Sequence, residues 1–508
     1  MNRARTLMVQ GTASSVGKSV FVTALCRILR QRGTRVAPFK SQNMSLNAAV
    51  TDDGKEISRA QAVQAEAAGV RPTADMNPIL LKPEAEGKVQ VIVLGKVIGR
   101  MSVAEYDAYK PELRPVVASC LERLRQAYDV VVIEGAGSPA EINLRDREIV
   151  NMHVAAIAEA PVILVGDIDR GGVFASLVGT LDLLAPHERA RVRALVVNRF
   201  RGAVASLDSA LQFLTQRTGV PILGVIPHIS TLGLADEDSV ALDEPRRHRR
   251  ATTGEIDIAV VKTPCISNYD DVSPFEQEPG VVVRFTDEAT EIPGADLLIL
   301  PGSKSTVADL GWLRETGIAA IVTERAVAGR PVLGICGGCQ MLGITIEDIH
   351  GVESTPGITP GLGLLPLTTR FATEKTTARV RAAALTHWFR DSSGPLTIDG
   401  YEIHAGQTDL HDPGSAAFEI LERNKQSVKD RDGAVRDAVM GTLIHGLFEN
   451  EAPRRALLRH LRQRRGLMPL VSRPMRVIHE DNYDRLAAVV WANIDIRLLF
   501  DLIGLTDP

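Results

Sequence analysis

The chain has 508 residues, with 62 acidic against 58 basic side chains, a net charge of −4, and only 4% aromatic residues. That length is enough for two or three domains with separate cores. The weak negative charge offers no pull on a polyanion and the few aromatics no base-stacking platform, so nucleic acid is not an expected partner. No stretch reads as a membrane span or a signal-peptide core, and five cysteines scattered along the chain fit a reducing compartment, so the expected location is the cytoplasm.

The apolar run Thr6 to Val9 leads into Gly11-Thr-Ala-Ser-Ser-Val-Gly17-Lys18-Ser19, and a helix is expected from about Lys18. Strand, glycine turn and helix N-terminus together form a phosphate cradle: converging backbone N–H groups, about half a positive charge from the helix dipole, and a lysine. Gly11, Thr12, Gly17, Lys18 and Ser19 are therefore expected to bind ATP, with Ser19 as a magnesium ligand. Five residues separate Gly11 from Gly17, one more than in the common P-loop pattern.

Phe21 to Leu29 has helical spacing, and Arg35 to Phe39 reads as a second strand ending in Lys40-Ser-Gln42-Asn43. Polar residues at that end of an open α/β sheet are candidate substrate ligands. A helix is expected over Ile57 to Ala68, followed by an X-Pro turn at Asn77-Pro78. Tyr128 to Glu134 is a buried parallel strand that delivers a carboxylate and a glycine turn. Glu134 is either a second magnesium ligand opposite Ser19 or a capping or paired acid. The next loop is polar, and its Asn143, Arg145 and Asp146 are further substrate candidates. Strands over 161–169, 192–200 and 221–227 complete a doubly wound, mostly parallel sheet. Asn198, at a strand end, either reads an adenine edge or satisfies a turn. Residues 236–254 break the pattern and read as a linker between a first domain over 1–235 and a second over 255–452.

The second domain opens with strands at Ile256 to Lys262, Val281 to Phe285 and Asp296 to Leu300. Pro331-Val-Leu-Gly-Ile-Cys336-Gly-Gly-Cys339 then puts a cysteine on a tight strand-to-helix turn, the thiol form of a nucleophile elbow. A helix N-terminus favours the thiolate, which matters because a free thiol is only a few per cent ionised at neutral pH. Cys336 is the candidate nucleophile; Cys339, one turn later, reads as packing. His445, ending the run Val439 to Ile444, is the candidate base, with His404 as competitor. Gly302 and Gly337 are candidate oxyanion donors. Residues 453–508 read as an amphipathic helical extension packed on the second domain.

Gly-Ile-Cys336-Gly-Gly with a late His445 resembles the class I (triad) glutamine amidotransferases. The usual His-x-Glu of that class is absent because Leu447 holds its third place. That absence is typical of the cobyric/cobyrinic acid branch, and it leaves open what orients His445, with Glu449 nearby but out of pattern. The first half resembles dethiobiotin synthetase in its loop spacing and its Glu134-Gly-Ala-Gly strand end. Segments along nearly the whole chain resemble the cobyric acid synthase family in order. They include Ala37-Pro-Phe-Lys-Ser-Gln-Asn-Met-Ser-Leu-Asn47, Met76-Asn-Pro-Ile-Leu-Leu-Lys-Pro83, Asp167-Ile-Asp-Arg-Gly-Gly-Val-Phe174 and Gly400-Tyr-Glu-Ile-His404. Cys339 stands where that family commonly has Tyr.

The resemblance implies an α/β enzyme with a P-loop synthetase domain and an amidotransferase domain. It would use ATP-Mg and glutamine to amidate the b, d, e and g carboxylates of adenosylcobyrinic acid a,c-diamide in cobalamin biosynthesis. The competing readings are cobyrinic acid a,c-diamide synthase and a regulatory P-loop ATPase with an inactive amidotransferase domain. The implied partners are small molecules, and the sequence leaves a homo-oligomer open.

Overall fold

The computed structural model describes residues 3–84, 87–229, 233, 242, 249–389, 396–469 and 471–505. Most of the expected linker, including the basic run up to His248, lies outside them.

Six valine- and isoleucine-rich strands form the first sheet, all parallel. Across the sheet they run Ile222–Pro227, Val192–Phe200, Val162–Asp167, Arg5–Gly11, Val130–Glu134 and Val36–Phe39. Both faces must be covered, because a parallel sheet has no solvent side. The helix Lys18–Gln31 covers one face with Phe21, Val22, Leu25 and Leu29. The helix Val103–Ala127 covers the other with Tyr106, Leu113, Val117 and Leu121. This second helix contains Pro111 and Pro115, which hide it from a sequence reading. A capping box starts it: Glu105 N–H donates to Ser102 Oγ at 3.3 Å, and Ser102 N–H to Glu105 Oε2 at 2.7 Å. The helix expected from Ile57 begins at Arg59, because Glu56–Ser58 pairs as a short strand with Ala48–Val50.

The second domain repeats the plan. Its sheet runs Val281–Thr286, Ile256–Val261, Leu297–Leu300, Val332–Ile335 and Val439–Thr442, all parallel, with Ala434–Arg436 added antiparallel at the edge. A long antiparallel pair, Leu367–Ala384 with Thr397–Leu410, stands beside it, and the two-residue strand Ile444–His445 pairs with Tyr401 and Glu402.

The C-terminal segment divides. Helix Glu451–Arg464 packs on the second domain through Ala456, Leu457, Leu458 and Leu461. Helices Met475–Ala492 and Ile496–Ile503 do not; they return to the first domain. Leu486, Val490, Leu499, Phe500 and Ile503 bury there against the Lys18–Gln31 helix and its sheet. Packing of the whole extension on the second domain is thus corrected. The apolar face of the Lys18–Gln31 helix needs a cover, and each buried Leu, Ile or Phe contributes about 1.5–3 kcal/mol. Arg27 adds ion pairs to Glu480 at 2.6 Å and Asp484 at 2.7 Å. Among the described residues no helix is long and apolar enough to cross a membrane.

Candidate active site

Two centres lie at the C-terminal ends of the two sheets, where open α/β sheets present their ligands. In the first, the Gly11–Ser19 loop leaves the strand flanked by Val162–Asp167 and Val130–Glu134. Gly17 takes φ 95°, and a Cβ there would come within 2.2 Å of Asn198 Nδ2, so only glycine fits. Asn198 Nδ2 donates to Val16 O at 2.8 Å, which ties the neighbouring strand end to the loop. Thr12 N–H donates to Val165 O at 2.9 Å. Lys18 Nζ reaches across the loop to Ala13 O at 2.9 Å and Gly137 O at 3.3 Å.

The register that sets Val9 beside Glu134 brings this buried carboxylate to the loop. Glu134 Oε1 accepts from the Ser19 hydroxyl at 2.8 Å and Lys40 Nζ at 2.7 Å. Glu134 Oε2 accepts from Gln64 Nε2 at 2.5 Å and faces Gln61 Nε2 at 3.5 Å. Two hard oxygen donors, Ser19 Oγ and Glu134, therefore stand side by side at the P-loop lysine. Magnesium is usually held by one or two such protein oxygens together with substrate phosphates, so this donor set fits it.

The six residues expected to bind substrate separate. Lys40 and Asn43 are buried in the Glu134 network, Asn43 Nδ2 donating to Ser58 Oγ at 2.6 Å and Gln61 Oε1 at 3.1 Å. Gln42 accepts the Tyr106 hydroxyl. Asn143, Arg145 and Asp146 lie exposed on their loop, with Arg145 donating to Leu183 O.

In the second centre Cys336 follows the central strand Val332–Ile335 at φ 51°, ψ −109°. Such a backbone costs about 1–3 kcal/mol and persists only where its surroundings impose it. Here Gly338 makes the turn fit, since a Cβ on it would lie 2.0 Å from Leu300 O. Cys336 N–H donates to Thr442 O at 2.8 Å, so the neighbouring strand runs past the elbow and delivers His445 three residues later. The imidazole is fully buried and close enough to Cys336 for the two to interact electrostatically, while the thiol itself faces Ile403 O at 3.7 Å. Gly302 pairs with Ser267 on a short strand, and Ser303 N lies 2.8 Å from where a Gly337 Cβ would be. Cys339 is fully buried, which drives its thiol well above the ordinary range.

What orients His445 is Asp271, which the sequence reading missed. His445 Nδ1–H donates to Asp271 Oδ2 at 2.6 Å, and Gly446 N–H donates to Oδ1 at 2.7 Å. Burial alone would push the imidazole down; Asp271 and the Cys336 sulfur outweigh it and hold the imidazolium well above the usual histidine range. Tyr401 stacks on the ring, centroids 5.2 Å apart and planes 18° from parallel. Asn268 Nδ2 lies 3.4 Å from Nε2. Glu449 faces His479 instead, 3.9 Å away. The only signal for Asp271 was the acidic pair in Ser267-Asn-Tyr-Asp-Asp271, some 170 residues from the histidine it serves.

A cavity of about 330 Å³ opens on Cys336. Its walls include Gln340, Glu353 and His404 from the second domain and Gln90 and Arg100 from the first. His404 Nδ1 is spent on Gly406 O at 2.6 Å, so the competing histidine is held at the wall.

Comparison with known proteins agrees with both halves. The family model described as CobQ/CobB/MinD/ParA nucleotide binding domain matches residues 7–240, and the CobB/CobQ-like glutamine amidotransferase domain matches 257–453. A cobyric acid synthase from Sorangium cellulosum is 56% identical over 99% of both chains. The chain belongs to the cobyric acid synthase family. Members from Dehalococcoides mccartyi, 48% identical over 99% of this chain and 98% of the relative, and Citrobacter koseri, 50% identical over 98% of each, are similar along their length too. It is accordingly a ligase with an amidotransferase domain and a nucleotide-binding domain.

Proposed function

We propose that this enzyme amidates the b, d, e and g carboxylates of adenosylcobyrinic acid a,c-diamide, using ATP-Mg and ammonia from glutamine, in the cytoplasm. The observation that carries the reading is one chain holding both a Cys336–His445–Asp271 constellation and a Ser19–Glu134 pair on a P-loop. Near-full-length similarity to cobyric acid synthases supports the substrate.

The chemistry needs both centres. A carboxylate is a poor acceptor for ammonia, because its charge is delocalised and oxide is a bad leaving group. A carboxylate oxygen attacks the γ-phosphorus, ADP leaves, and the acyl phosphate so formed releases phosphate when ammonia attacks its carbon. Gly11, Thr12, Gly17 and Lys18 cradle the phosphates; magnesium held by Ser19 and Glu134 would neutralise charge there. Asn198 braces the loop through Val16 O, and under this proposal it also contacts adenine.

In the second centre glutamine occupies the cavity beside Cys336. The thiolate attacks the side-chain amide carbon, Gly302 and Gly337 supply N–H groups to the oxyanion, and His445 gives its proton to the departing ammonia. Water then hydrolyses the thioester with His445 as base. Free ammonia in neutral water is mostly ammonium, so a sheltered route between the domains is favoured. Lys40, Gln42 and Asn43, with Asn143, Arg145 and Asp146 on the exposed loop, contribute to substrate binding in this reading.

Cys336→Ser abolishes glutamine-dependent amidation and keeps activity with ammonium salts, whereas Lys18→Ala loses both. Equal loss from both nitrogen sources in a folded Cys336→Ser protein would overturn the division of labour. Mass spectrometry of the product separates four amidations from the two of an a,c-diamide synthase, and a glutaminase assay excludes an inactive amidotransferase domain.

A further inference from the structure

The ten-residue helix Arg59–Ala68 touches both centres. Its first residue leaves the first domain: Arg59 Nε pairs with Asp270 Oδ2 at 2.7 Å, and Nη2 donates to the Tyr401 hydroxyl at 2.6 Å. The guanidinium also lies 5.5 Å from the centre of the Tyr401 ring. Each of these partners is one step from the imidazole. Tyr401 stacks on His445 and pairs with it through the backbone. Asp270 adjoins Asp271, which holds His445 Nδ1. Asp270, Asp271, Tyr401 and His445 are buried and Arg59 is part-buried, a setting in which a guanidinium and a carboxylate fix each other's place strongly.

Further along the same helix, Gln64 and Gln61 face Glu134 Oε2 at 2.5 and 3.5 Å. Glu134 Oε1 in turn accepts from Ser19 on the phosphate loop. Arg59 and Gln64 are five residues apart on one rigid element, about 7.5 Å of rise at 1.5 Å per residue. A single helix therefore joins the partners of Glu134 to Arg59.

We propose that Arg59 is a positioning residue for the amidotransferase centre, supplied by the nucleotide-binding domain, and that its helix couples the Glu134 site to the reactivity of Cys336. The inference rests on reading Cys336 and His445 as the glutaminase centre. Arg59 touches neither glutamine nor the reacting sulfur; it acts through Tyr401 and the Asp270–Asp271 pair.

The test uses the full chain and reads the rate of Cys336 alkylation by iodoacetamide, across neutral and alkaline pH, with and without ATP-Mg. In the unaltered enzyme ATP-Mg changes this rate about fivefold or more, within the usual range of coupling between sites. In Arg59→Gln the response falls below about twofold, and the pH profile without nucleotide is already altered; activity with ammonium salts is kept. Arg59→Lys, which keeps the charge on Asp270 without the fork that also reaches Tyr401, restores part of the profile. If Arg59→Gln does not fold because Asp270 is left buried and unpaired, the double variant Arg59→Gln with Asp270→Asn replaces the ion pair by two neutral amides. A folded variant whose profile and nucleotide response match the unaltered enzyme overturns the proposal, as does an unaltered enzyme that does not respond to ATP-Mg. Failure of glutamine to protect Cys336 from alkylation would instead overturn the glutaminase reading beneath it.

Discussion

Replacing Asp271 by Asn tests the triad at its least expected member. The two side chains have nearly the same shape, and Asn Oδ1 can still accept the Gly446 N–H now bound at 2.7 Å. The amide nitrogen then faces His445 Nδ1, at a position now 2.6 Å from it. Two N–H groups cannot point at one another, so Nδ1 must become the acceptor and the ring proton moves to Nε2, leaving no base on the thiol side. The charge is lost as well. Two unit charges about 4 Å apart at an effective dielectric of about 20 interact by about 4 kcal/mol, or about three decades in rate. Glutaminase kcat/KM of Asp271→Asn should therefore fall on the order of 10³-fold, while ammonium-dependent amidation is preserved. The pH sign follows from the same contact: Asp271 outweighs burial in holding the imidazolium up, so without it His445 loses its proton at lower pH. The alkaline limb of the glutaminase profile should move down. Stopped assays with glutamine and with ammonium chloride on the folded variant decide it. A loss under about tenfold, or equal loss with both nitrogen sources, would refute the assignment of Asp271.

At the other centre, Glu134→Gln should lower synthesis from glutamine and from ammonium alike, by about 10² or more, and raise the magnesium concentration needed, read by titrating MgCl₂ at fixed ATP. Glu56 is buried between Lys82 and Lys375, each 2.7 Å away, and although burial pushes its carboxyl up the two lysines outweigh it and hold it at about 2. Its folded value is below the ordinary one, so the stability it adds is full above about pH 4.5 and is lost as pH falls through about 2. Glu56→Gln should cost about 3–5 kcal/mol at neutral pH and progressively less in acid, measured as the shift in urea midpoint at each pH. Phe500→Ala, which cuts a buried ring from the returning C-terminal helices, should cost about 3–5 kcal/mol and lower the melting temperature of the first domain, followed by calorimetry.

The parallel sheets, the P-loop and the cysteine elbow were legible because each is local: a run of apolar residues, a glycine turn and a chemically active residue within about fifteen positions. Glu134 was legible for the same reason, as a carboxylate closing a buried strand. Asp271 was not, because its partner is far away in sequence and its own neighbourhood resembles an ordinary acidic turn. Gln64 was hidden in an alanine-rich helix, where an amide looks like solvated surface; only the fold turns it toward Glu134. Pro111 and Pro115 masked the helix Val103–Ala127, whose capping box and apolar face outweigh the two lost backbone bonds. The C-terminal helices were recognised as amphipathic, but periodicity states that a helix has an apolar face and not which surface covers it.

The way the two domains are joined bears on how ammonia passes between them. Across the seam, Arg59 meets Asp270 at 2.7 Å, Glu56 meets Lys375 at 2.7 Å and Glu84 meets Lys304 at 2.6 Å. Part-buried pairs like these add little net stability over apolar packing, yet breaking one is costly, so they fix orientation more than they hold. Apolar adhesion comes from the C-terminal helices, which are carried by the second domain through helix Glu451–Arg464 and bury against the first, and from a small cluster across the seam, Ala48, Val50, Leu80 and Ile92 with Tyr401 and Ile403. A seam made apolar enough to hold by itself would be dry and close-packed, with no place for a polar cavity beside Cys336. With part of the adhesion carried by the C-terminal helices and the apolar seam contact kept small, the seam keeps polar walls from both domains around that cavity and still has one register. Weakening the C-terminal helices should thus loosen the coupling of glutamine hydrolysis to amide formation before it abolishes either reaction, seen as glutamate released in excess of amide formed. A Phe500→Ala enzyme that loses both reactions in proportion would show that the helices stabilise the fold without setting the seam.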